Sequence, residues 1–164
     1  MKGSKDFVKE TDDKPRKWLD KYFVPKFHLQ LEWTKEQFAW NDANITSNTQ
    51  EVCFMELKVR HNLSTAYNGE TMIEEDKYVE LLEHKGKVGL LVMFTDCICW
   101  FPPSKLFEEC FVGKGICYGC PDETHPTTTK KWVRKNKPCA YFSTYKAIKY
   151  SYDEFWTEGT PDFV

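Results

Sequence analysis

Two periodicities alternate along the first hundred residues. From Asp13 to Val24 the apolar side chains Trp18, Leu19, Tyr22 and Phe23 recur at helical spacing on one face. Asp12 or Asp13 can cap this helix, Pro15 suits its first turn and Pro25 stops it. The period then changes to two: Phe27, Leu29, Leu31 and Trp33 alternate with Lys26, His28, Gln30 and Glu32, the mark of a half-buried strand. A turn-rich segment from Asn41 to Gln50 leads to a second alternating run, Glu51 to Arg60. Helical spacing returns from Ile73 to His84, with Ile73, Tyr78 or Val79, Leu81 and Leu82 on the apolar side and Gly86 as the stop. Further strands are expected from Val88 to Phe94, Ile98 to Phe101 and Cys139 to Ser143. Strands between helices predict an α/β fold, a single domain with a central mixed β-sheet flanked by helices.

Composition agrees with one compact domain. The chain has 164 residues, 41% of them hydrophobic and 16% aromatic, which separates it from disordered sequences. Its 23 Lys and Arg against 25 Asp and Glu give a net charge of -2, which excludes a uniformly basic nucleic-acid binder. The charge is nevertheless divided. Seven bases and no acid lie between Pro126 and Tyr150, six acids and one Lys between Glu70 and Glu83, and four acids without a base after Tyr150. The first residues lack the apolar run of a signal peptide, and Val88 to Phe94 falls far short of the ~20 residues of a membrane span. A soluble, cytoplasmic protein without a membrane partner is therefore expected.

The run from Val52 to Arg60 sorts chemistry onto one face. Cys53, Met55, Leu57 and Val59 point one way, while Phe54, Glu56, Lys58 and Arg60 point the other. Alone, such a face is what a solvent-exposed strand carries. Upstream, however, lies Asn41-Asp42-Ala43-Asn44-Ile45, a short acidic turn entering a strand. The order of helix, strand, Asp42, Glu56-Leu57-Lys58, second helix and further strands resembles the PD-(D/E)XK superfamily, the restriction-endonuclease-like nucleases. The resemblance covers about residues 13 to 101 and implies an αβββαβ core, with 102 to 164 as a C-terminal extension bearing the basic stretch. Asn41 stands where the family often has Pro.

The resemblance implies that Asp42, Glu56 and Lys58 are catalytic, and that Asp42, Glu56 and the backbone carbonyl of Leu57 hold Mg²⁺, with Mn²⁺ as substitute. These residue types suit phosphodiester hydrolysis. A hard divalent cation lowers the pKa of bound water and polarises a phosphoryl oxygen, and one or two carboxylates suffice to hold Mg²⁺. Lys58, about 7 Å along the strand from Glu56, can orient the attacking water and offset phosphate charge. Family members often add an acid from the first helix, for which Glu10 and Asp20 are candidates although a capping or surface role is the favoured reading of each, and a basic residue from the second, here Lys77, whose alternative is an intrahelical pair with Glu74 or Glu80. Arg60 continues the active face toward substrate backbone, and Tyr67 and Asn68 follow in the next loop. The implied activity is endonuclease more than exonuclease, on DNA with RNA as the alternative. Small members include Holliday-junction resolvases, repair nucleases and phage or mobile-element nucleases, which points to a bacterial cell or phage-infected host. Cutting two strands would call for a homodimer.

Affinity is expected from Lys130-Lys131-Trp132-Val133-Arg134-Lys135, where Lys130, Lys131, Arg134 and Lys135 neutralise phosphates and Trp132 stacks on a base. Seven cysteines exclude a fully paired disulfide framework, and Cys53, Cys97 and Cys99 read as reduced core residues. Cys117 and Cys120 form a lone CxxC in a loop-like stretch, with Cys110, His125 and Cys139 as further candidate ligands. Structural Zn²⁺ there is the minority reading, because a second paired knuckle is missing. Two other functions compete with the nuclease: a non-cleaving nucleic-acid-binding protein on the same fold, and a zinc-stabilised interaction module.

Overall fold

The computed structural model describes residues 13–35, 39–49, 52–108, 111–121, 132–157 and 159–164. Its first element, α1, is helical over residues 13–26 and runs past Pro25 rather than stopping there. The middle turn, Leu19–Phe23, is π-helical, with the Val24 amide bonded to the Leu19 carbonyl. That offset reaches the proline ring without an ordinary i to i−4 bond having to be broken. His28 then takes a left-handed φ of 51° and reverses the chain, so the alternation from Phe27 onward becomes a strand only at Gln30–Trp33, β1.

Ala43–Thr46 (β2) and Val52–Val59 (β3) continue the antiparallel meander begun by β1. Val88–Met93 (β5) lies parallel to β3, and Cys97–Phe101 (β6) and Ile148–Ser151 (β9) complete a mixed six-stranded sheet of order β1-β2-β3-β5-β6-β9. All six residues of β5 are buried because both faces of the sheet are covered. On one face, Leu19 and Phe23 of α1 pack with Ile45, Met55, Leu91, Met93 and Ile98. On the other, Leu81, Ala140 and Phe142 pack over Leu90, Val92, Cys99 and Phe101.

The covering layer on this second face differs from the helix expected between Ile73 and His84. Glu70–Glu74 is a strand, β4, and only Glu75–Leu82 is helical, α2. Ile73 faces the core from β4 because Ala140 pairs with it. β4 belongs to a second sheet with Phe111–Pro121 (β7) and Trp132–Ser143 (β8), in the order β4-β8-β7. The strand expected from Cys139 to Ser143 is thus the end of a longer one. Residues after Phe101 contribute both to this layer and, through β9, to the main sheet. Among the described residues no helix is long and apolar enough to cross a membrane.

Candidate active site

The β2–β3 ladder brings the two acids together. Ala43 pairs with Met55, and the Asp42 amide donates to the Met55 carbonyl at 2.9 Å. One step further the ladder passes to a side chain: Asp42 Oδ2 accepts the Leu57 amide at 2.8 Å. An extended residue turns its amide and carbonyl toward the same neighbouring strand, so the Leu57 carbonyl lies on the edge that Asp42 occupies. By alternation from Met55, which faces α1, Glu56 faces α2, while Asp42 sits in the bend just before β2 at the edge of the ladder. Asn41 fixes this entry. Its buried side chain donates to the Ala43 carbonyl at 2.9 Å and to Asn44 Oδ1 at 2.8 Å, closing the turn without a proline.

Glu56 is only 2% exposed. Its Oε1 meets Lys58 Nζ at 2.8 Å and its Oε2 meets Lys77 Nζ at 3.8 Å. Burial pushes the Glu56 carboxyl upward, Lys58 opposes that, and the charge of Asp42 adds to the upward push. Lys77, on the first turns of α2, also pairs with Glu80 at 3.1 Å and donates to the Trp40 carbonyl at 3.1 Å. Asp42 has its own cation: Arg16 of α1 places Nη2 3.5 Å from Oδ1. Arg16 is held by donation to the Thr34 carbonyl at 3.1 Å and by the Trp33 ring, whose centroid lies 5.1 Å away. The site thus joins two carboxylates and three cations from α1, β3, α2 and the turn before β2.

Other expected residues fall elsewhere. The Arg60 guanidinium donates to the Met72 carbonyl at 2.5 Å, which ties β3 to β4 in the layer over the face of Glu56 and Lys58. Asp20 accepts the Trp33 indole N–H at 2.9 Å, so it supports the wall behind Arg16 instead of adding an acid. Tyr67 and Asn68 lie in the exposed loop after β3. Cys117 and Cys120 are on a strand, not in a loop: β7 pairs Cys117 with Lys135, Cys120 with Val133 and Pro121 with Trp132. Trp132, Arg134 and Lys135 accordingly lie along β8, and the basic and cysteine segments form one hairpin. Glu10, Cys110, His125, Lys130 and Lys131 lie outside the described residues. Cys53, Cys97, Cys99 and Cys139 are reduced. Among the described residues no group of three or more His, Cys, Asp or Glu is placed to hold a metal.

Arg16 went unread in the sequence, although a signal exists. It stands three residues before Leu19 and seven before Phe23, on the buried stripe of α1, where a cation needs a partner. No family model, curated protein or solved structure matches this chain.

Proposed function

We propose that the protein is a metal-dependent nuclease of the PD-(D/E)XK type that hydrolyses phosphodiester bonds in DNA. The observation that carries this reading is the meeting of Asp42, from the turn before β2, with Glu56 and Lys58 of β3: Asp42 takes the amide of the intervening Leu57 and Glu56 pairs with Lys58. The element order is compatible with it: α1, three antiparallel strands, β4 of the second sheet as an insertion, α2, then β5 parallel to β3.

The donor set suits a hard cation. Two carboxylates and the Leu57 carbonyl offer only oxygen, and Mg²⁺, which keeps several waters, needs few protein ligands. When bound, such an ion supplies an acidified water and a counter-charge for the phosphoryl oxygens. The chain's own residues do the rest. Asp42 and Glu56 concentrate negative charge in a shielded place, so a cation gains more there than at the surface. Lys58 orients the water and offsets charge on the phosphate. Lys77 and Arg16 hold the carboxylates in position, and both ammonium and guanidinium groups are within reach of an incoming phosphate.

A second reading has one observation in its favour: both oxygens of Glu56 face lysine ammonium groups, so the chain's own residues offset its charge. On that reading the protein binds nucleic acid on the same fold without cutting it. A cleavage assay separates the two. Purified protein is given linear, single-stranded, flap and four-way-junction DNA with Mg²⁺ or Mn²⁺, and a chelator control. Metal-dependent cleavage that is lost in Asp42→Ala and Glu56→Ala is the expected result, and intact substrate in every lane would leave the non-cleaving reading.

A further inference from the structure

The loop that leaves β3 two residues after Lys58 ends in an unusual run of backbone. Tyr67, Asn68 and Gly69 are consecutively left-handed, with φ of 53°, 59° and 72°. Two of the three carry a Cβ, for which this region is uncommon and strained. Buried neighbours hold the loop in place. Thr144 Oγ1 lies 2.8 Å from the carbonyls of both Ser64 and Gly69, and the Asp96 carboxylate takes the amide and the hydroxyl of Ser64 at 2.7 Å each. The fold therefore maintains a costly conformation whose result is a Tyr67 ring 74% exposed.

A second exposed ring packs against the same loop. Tyr145, 66% exposed, lies over Gly69 so closely that an added Cβ there would come 2.4 Å from Cε2. The Lys149 ammonium sits 5.1 Å from the Tyr145 ring centroid. Lys149 is aligned with the candidate site. Lys58, Val92, Cys99 and Lys149 are successive cross-strand partners and so share one row and one face of the main sheet. Three strand spacings separate the two lysines, about 14 Å, or about four base steps at 3.4 Å each. The layer of α2 and β8 covers Val92 and Cys99, and the loop from Arg60 to Gly69 crosses the end of β5, where the Thr95 amide donates to the Asn62 carbonyl at 3.1 Å.

We propose that Tyr67 and Tyr145 form a stacking platform for unpaired bases of a DNA strand held at the Asp42–Glu56–Lys58 site. The proposal rests on the nuclease reading and extends it to substrates with a single-stranded arm. Exposed aromatic faces beside a cation match a base and its phosphate together: the ring stacks and the ammonium neutralises. A duplex keeps its bases stacked on each other and offers these rings nothing.

The test is anisotropy binding by the full chain, in chelator, to fluorescein-labelled single-stranded, flap and fully duplex DNA, with RNA counterparts. Tyr67→Ala and Tyr145→Ala are each expected to weaken single-strand and flap binding about tenfold and duplex binding less than twofold, with Phe at either position restoring it. Gly69→Ala, which displaces the Tyr145 ring, is expected to reproduce Tyr145→Ala. Stacking on the rings should also quench 2-aminopurine in the flap arm bound to the wild type, but not in the arm bound to the doubly substituted protein. Unchanged flap affinity, an equal loss on duplex, or binding confined to RNA would each overturn the proposal. The two readings fail separately. Lys58-dependent cleavage with Tyr67→Ala and Tyr145→Ala binding like wild type removes the platform alone, whereas platform-dependent binding without cleavage removes the nuclease alone.

Discussion

Glu56 concentrates the electrostatics of the site in one side chain. Its folded pKa lies above the ordinary glutamate value, chiefly because burial disfavours the carboxylate. The folded chain therefore holds more protons than the unfolded chain between those two values, and stability falls as pH rises through that window. Below the ordinary value the contribution is fully present, and above the raised value it is lost. Unfolding midpoints across a pH series for wild type and Glu56→Gln should show the wild type losing ground through that window and then levelling. A difference that is flat with pH would contradict the assignment. At Arg16 the test is structural: Arg16→Leu keeps the apolar stem but removes charged hydrogen bonding, and should cost about 1.5–3 kcal/mol in denaturant unfolding. Alternation made Glu56 and Lys58 legible, since a period of two leaves no choice of face. Arg16 and Arg60 were not legible, because their partners, Asp42 with the Thr34 carbonyl and the Met72 carbonyl, are set by packing between elements.

At the scale of elements, close approach decides what the strands tolerate. Gly89 lies in β5 beneath Trp100 of β6, and an added Cβ would stand 2.1 Å from the ring. Gly89→Ala should therefore destabilise the fold by about 1–3 kcal/mol. Trp100 also borders a cavity of about 630 Å³ with Phe23, Phe27 and Tyr150, so its ring has room to shift and the lower end is expected. Calorimetric unfolding of the variant checks this, and an unchanged midpoint would mean that the ring moves freely. The strands that sequence periodicity placed well are β3, β5 and β6, whose own alternation or unbroken apolar run marks them, whereas β2 falls inside the segment read as turn-rich. Ile73 was assigned to a helix because its strand partner, Ala140, is 67 positions away. β8 was hidden by its basic residues and by Pro138. The proline is accommodated because it falls one residue before the ladder with β4 begins at Cys139.

For the whole molecule, a net charge of -2 is the sum of opposed regions rather than neutrality. Buried Glu56 beside half-buried Asp42 is a place where added positive charge should stabilise the fold. Binding of a cation to the folded state alone adds about 2.7 kcal/mol at a concentration 100 times Kd. Mg²⁺ should thus raise the thermal midpoint of the wild type by several degrees and leave that of Asp42→Ala unmoved. Equal shifts in both proteins would place the ion elsewhere. The overall class, α/β with a mixed sheet, was readable from the order of elements. The second sheet was not, because β4 is far along the chain from the paired β7 and β8 that it joins.

The most direct measurement compares wild type and Lys58→Ala on one flap DNA substrate, with binding read in chelator and cleavage read after Mg²⁺ is added. The two proteins should bind within a few-fold of each other, while cleavage by Lys58→Ala falls by about 10²-fold or more. Cleavage by Lys58→Ala at the wild-type rate would contradict the assignment of this site.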